Sequence, residues 1–99
     1  MGKLTPEQAA DKVSNGDRVG SALKDDPYHQ GASYLSKEQL SKGQTFSITG
    51  GDGVQRTLLQ VEGGLNGSTG IFEYIIDSNG NITYQLFIKD GVITGFPNQ

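Results

Sequence analysis

The feature that most limits what this chain can fold into is a change of hydrophobic period near Thr45. Before it, apolar residues recur at helical spacing. After it they alternate with polar ones between glycine-containing turns. A helix presents one face every 3–4 residues and a strand every two, so neither pattern serves the other element. The sequence therefore predicts an α+β domain, helical in its first third and an antiparallel meander thereafter.

Thr5-Pro6-Glu7-Gln8 reads as a helix start, with Thr5 as cap, Pro6 in the first turn and Gln8 closing a capping box. The helix runs through Ala10 and Val13 to a left-handed stop at Asn15-Gly16. Asp17 can cap a further turn or two, with Val19, Ala22 and Leu23 on one helical face, ending at Asp26-Pro27. Residues 27–34 read as irregular. Ser36-Lys37-Glu38-Gln39 repeats the capping pattern, giving about two turns before Gly43.

In the second part Phe46 and Ile48 mark a strand and Gly50-Gly51-Asp52-Gly53 a tight turn. Further strands are expected at 56–62, 71–77 and 81–88, with a fifth at 92–94 beyond Asp90-Gly91. Residues 63–70 read as a long loop, and Ser78-Asn79-Gly80 as a hairpin with a type I′ turn. The whole is one domain over residues 1–99, with N-terminal helices packed on a four- to five-stranded antiparallel sheet.

Alternation sorts the strands into faces. Thr57, Leu59 and Val61 oppose Arg56, Leu58 and Gln60, and Phe72, Tyr74 and Ile76 oppose Ile71, Glu73 and Ile75. Ile82, Tyr84, Leu86 and Ile88 oppose Thr83, Gln85 and Phe87. One face takes the helices. On the other, polar residues drawn from Thr57, Gln60, Glu73 and Gln85, beside exposed apolar groups, form a candidate substrate platform. An ordinary solvated face is the plain alternative.

Composition narrows the chemistry. There is no cysteine, which removes disulfides, thiolate metal sites and a cysteine nucleophile. With one histidine, a zinc site would have to rest on carboxylates, so no metal is expected. No apolar run approaches the roughly 20 residues of a membrane span, and Met1-Gly2-Lys3 has no signal region behind it and reads as the start of a cut-out domain. Net charge −3 is the wrong sign for tight, non-specific binding to nucleic acid and leaves room for a protein that helps present a substrate.

His29 is the one histidine, the residue type suited to proton transfer near neutrality, and it could act as acid or base in RNA cleavage. A surface loop histidine is the alternative. Arg56 offers a fork for a phosphate, or a surface ion pair with Asp52, Glu62 or Glu73. Tyr84 and Thr83 could hydrogen-bond a phosphate oxygen, although Tyr84 shares its parity with core residues. Glu73 could be a base opposite His29. Asp77-Ser78-Asn79-Gly80-Asn81 begins like a calcium loop but has Ile88 where the bidentate Glu belongs.

The segments Tyr28-His29-Gln30-Gly31-Ala32-Ser33-Tyr34-Leu35, 50–60, Gly70-Ile71-Phe72-Glu73-Tyr74-Ile75 and 91–99 together resemble the C-terminal toxin domains of contact-dependent growth inhibition proteins and related polymorphic toxins. The likeness spans residues 29–99. It implies the barnase/EndoU/colicin/RelE ribonuclease architecture and a metal-independent attack by a 2′-hydroxyl that needs no cofactor, with tRNA the expected substrate. It also implies export at the end of a large exoprotein and action in the cytoplasm of a target bacterium. The expected partners are a cognate immunity protein and, in some such systems, elongation factor Tu. By the resemblance His29 is acid or base and Arg56 a phosphate clamp. A histidine is expected in the stretch where this chain has Thr83-Tyr84-Gln85, so Tyr84 either takes over that role or marks an inactive copy. An NAD-consuming or deaminating toxin, and a non-enzymatic immunity or binding module, stay open as alternatives.

Overall fold

The computed structural model describes residues 4–97, so Met1-Gly2-Lys3 and Asn98-Gln99 lie outside the described residues. Three α-helices precede four strands: α1 (Pro6–Asn15), α2 (Pro27–Gln30), α3 (Lys37–Leu40), β1 (Gln44–Thr49), β2 (Gln55–Leu65), β3 (Ser68–Ile76) and β4 (Ile82–Lys89). The sheet is antiparallel in the order β1-β2-β3-β4, which is the meander expected.

The capping box of α1 forms as predicted: Gln8 N–H donates to Thr5 Oγ1 and Thr5 N–H to Gln8 Oε1. The helix stops at Gly16, but with φ −78° rather than in the left-handed region. Glycine is needed there for space, because a Cβ would lie 2.4 Å from the Gly80 carbonyl oxygen. Residues 27–34, expected to be irregular, form α2 and a 3₁₀ turn (Gly31–Tyr34). Asp26 explains the start, since its carboxylate accepts from the N–H groups of Tyr28 and His29. The helix after Ser36 is one turn, shorter than expected.

Three expectations for the sheet change. The long loop at 63–70 is instead a continuation of β2 and β3 to a two-residue turn at Asn66-Gly67. Both turn residues have positive φ (52° and 83°), the type I′ geometry that Asn-Gly tolerates. The hairpin at 78–80 exists, but as a three-residue turn with only Gly80 at positive φ. Among the described residues no strand forms at 92–94. A parallel bridge at the other end, Arg18 with Ile82, adds a short edge beside β4, held by Val19 N–H to Ile82 O and Ile82 N–H to Asp17 O.

The helices cover one face. Ala9, Ala10, Val13, Ala32 and Leu40 pack there on Leu59, Val61, Phe72, Tyr74, Ile76, Ile82 and Phe87. The opposite face holds a smaller cluster of Leu58, Ile75 and Tyr84, flanked by Phe46, Ile48 and Leu86. Alternation alone misassigned Ile82. A bulge pairs Ile75 with Tyr84 but Ile76 with Ile82, so Thr83 is the extra residue. Its insertion turns Ile82 to the helical face while Tyr84 stays on the other.

Among the described residues no helix is long and apolar enough to cross a membrane.

Candidate functional site

The sheet divides the candidate residues into two groups. On the helical face, α2 carries His29, whose Nδ1 lies 2.5 Å from Asp26 Oδ2. Asp26 is held below the usual carboxylate range, first by the His29 backbone N–H and then by the imidazole. Beneath α2, the buried Gln85 of β4 donates to His29 O at 2.9 Å and to Ser33 Oγ at 2.7 Å, and accepts from Arg18 Nε at 3.1 Å. Arg18 also donates to the Val13 and Gly16 carbonyls at the end of α1. Gln85 and Arg18 thus fasten the helices to the sheet. The sequence reading missed Arg18, and only its place just after a helix stop hinted at this role.

On the opposite face, Tyr84 Oη donates to Glu73 Oε2 at 2.7 Å, and Gln60 Nε2 donates to Glu73 Oε1 at 2.9 Å. Gln60 and Glu73 are fully buried and Tyr84 nearly so. Burial, then the adjoining Glu73 carboxylate, pushes the Tyr84 phenol far above its ordinary value, so at neutral pH it keeps its proton. The C-terminal segment lies over this cluster. Thr94 N–H and Gly95 N–H both donate to Gln60 Oε1 at 3.0 Å, and Gln60 Nε2 donates to Phe96 O.

Arg56 lies on the same face, at the start of β2. Of the three carboxylates considered for it, Asp52 is the partner, with Nη2 to Oδ2 at 3.0 Å. The arginine holds Asp52 down to about 2, and Asp52 in turn raises Arg56. A cavity of about 230 Å³ beside it is lined by Ile48, Gly50, Arg56, Ile75, Thr83 and Tyr84.

The structure therefore brings Arg56, Thr83 and Tyr84 together, with Glu73 behind the phenol, and leaves His29 across the sheet. The open platform is corrected: Thr57, Gln60, Glu73 and Gln85 are all buried. Thr57 accepts from the Leu4 N–H, Gln85 anchors helices, and the remaining two form the covered cluster. Parity could not show this, because the covering segment follows the last strand and has no strand pattern of its own. Among the described residues no group of three metal-ligating side chains occurs. Comparison with protein-family models, curated proteins and solved structures finds no match to this chain.

Proposed function

We propose that this chain is the toxic domain of a contact-dependent growth inhibition protein or a related polymorphic toxin. In this reading it is a ribonuclease that cuts tRNA in the cytoplasm of a target bacterium, and a cognate immunity protein restrains it. Elongation factor Tu is a candidate helper, since net charge −3 gives the domain weak attraction for RNA of its own. The observation that supports the reading best is the cavity shared by Arg56, Thr83 and Tyr84, with the Glu73 carboxylate 2.7 Å behind the phenol. The resemblance over residues 29–99 supplies the substrate class.

These side chains suit cleavage by a 2′-hydroxyl. A phenol pushed far upward is a poor base by itself. Backed by Glu73, it can pass its proton to the carboxylate as it takes one from the 2′-hydroxyl. The 2′-oxygen then attacks phosphorus, the bond to the 5′-oxygen breaks, and that oxygen takes a proton from water. A 2′,3′-cyclic phosphate remains. Arg56 neutralises charge on the phosphorus oxygens, exchanging its exposed partner Asp52 for the phosphate. Thr83 positions a phosphate oxygen. His29 takes no part, because the sheet separates it from this cavity.

The test is to induce the chain in bacteria and probe total RNA for tRNA on a denaturing gel. Discrete fragments are expected, and their loss in Arg56→Ala and Tyr84→Phe. His29→Ala should still cut; loss of cutting in that variant alone would move the chemistry to the helical face. Intact RNA with growth arrest would indicate an NAD-consuming or deaminating toxin. A second reading, a non-enzymatic binding module, draws on the burial of Glu73 and Tyr84. Intact RNA with normal growth would favour it.

A further inference from the structure

Arg56 borders a second cavity, at the end of the sheet where β2 starts and β3 stops. It holds about 240 Å³ and is lined by Lys12, Ser47, Gln55, Arg56, Thr57 and Ser78, among others. Such a space is smaller than the ~300–1,000 Å³ of sites for whole small molecules, and suits one phosphate with part of its sugar. Its lining is rich in donors: an ammonium, a guanidinium, hydroxyls from Ser47, Thr57 and Ser78, and the Gln55 amide.

Lys12 lines this cavity and two neighbouring ones beside α1. It projects from the last turn of α1, and its side chain runs along the turn between β3 and β4. A Cβ at Gly80 would lie 3.3 Å from Lys12 Cδ and 3.7 Å from Nζ. Glycine at 80 thus leaves the lysine its path. Among the described residues Lys12 makes no ion pair, because its neighbour Asp11 is taken by Lys37 at 3.1 Å.

The cavity has one carboxylate, Asp77. Its Oδ1 already accepts from the Asn79 and Asn81 N–H groups at 2.9 Å, which fixes it in the turn. Arg56 is already paired with Asp52, so Lys12 is the cation here without a carboxylate of its own, and a phosphate would gain Arg56 by displacing Asp52.

The geometry points to this cavity as a phosphate-binding subsite for a nucleic-acid backbone, with Lys12 and Arg56 as its cationic walls. In the ribonuclease reading, on which this placement rests, it holds the phosphate next to the one cleaved. Arg56, common to both cavities, spans the two positions. A nucleic-acid strand laid across them would pass around that end of the sheet toward the end of α1.

The test is an NMR titration of the full chain at fixed ionic strength, first with inorganic phosphate and then with a short 2′-deoxy oligonucleotide. The deoxy strand has no nucleophile and stays intact whether or not the protein is an enzyme. The amides of Gln55, Ser78 and Gly80 should shift with both. Lys12→Gln should weaken oligonucleotide binding about tenfold through loss of a charge-assisted contact, and Lys12→Arg should restore most of it. Shifts confined to Ile48, Thr83 and Tyr84, or equal affinity in Lys12→Gln, would overturn the subsite. Binding here by a chain that cuts no RNA would uphold the phosphate site and overturn the ribonuclease. Cutting without binding here would do the reverse.

Discussion

Gln85 shows how one side chain can outweigh its apparent role. It was a candidate contact to substrate, yet its amide joins Arg18, His29 and Ser33 inside the molecule. Gln85→Ala should remove three hydrogen bonds made by one buried amide and cost about 2 kcal/mol, read from the midpoint of urea unfolding. A loss within error of zero would mean that water replaces all three bonds. Asp52 offers a test by pH. Its carboxyl is depressed, so whatever its pair with Arg56 contributes is fully present above the ordinary carboxylate range and is lost as pH falls toward about 2. Carboxyl NMR should place the Asp52 midpoint near pH 2, and Arg56→Ala should return it toward the ordinary range. An unchanged midpoint would deny the arginine its part.

The helices and strands were legible where local chemistry decides them. The Thr5 box, the Ser36 cap and the antiparallel meander follow from neighbours in sequence, and all form. The misreadings came where distant packing decides. Gly63 and Gly64 looked like loop residues, yet Gly63 lies under the Phe72 ring, where a Cβ would approach to 2.8 Å, so glycine there serves close packing within a strand. The bulge at Thr83 is equally silent in the sequence, because Thr is an ordinary strand residue. That bulge shapes the site, since adjacent residues Thr83 and Tyr84 line one cavity there. Asn66 to Gly67 then supplies a test for the extended hairpin. Gly67→Ala should cost about 1 kcal/mol by forcing a side chain to φ +83°; in a loose loop it would cost nothing.

At the scale of the whole molecule, the C-terminal segment 91–97 behaves as a strap over the polar cluster. Its amides at Thr94 and Gly95 and its carbonyl at Phe96 are tied to the single side chain of Gln60. Gln60→Ala should free it, with hydrogen exchange at Thr94 and Gly95 rising while β3 amides stay protected. Unchanged exchange would show that the Phe46 ring against Gly95 is hold enough. The site was half legible for the same reason: the residue types were visible, but what covers them was not. The strand order has a kinetic consequence as well. Each strand pairs with the one made just before it, and two of the links are tight turns of two and three residues. The sheet can zip from hairpin to hairpin without waiting for remote segments to meet, and no disulfide must form. An unfolded chain can therefore build this sheet by local steps, each new strand finding its partner close by in sequence.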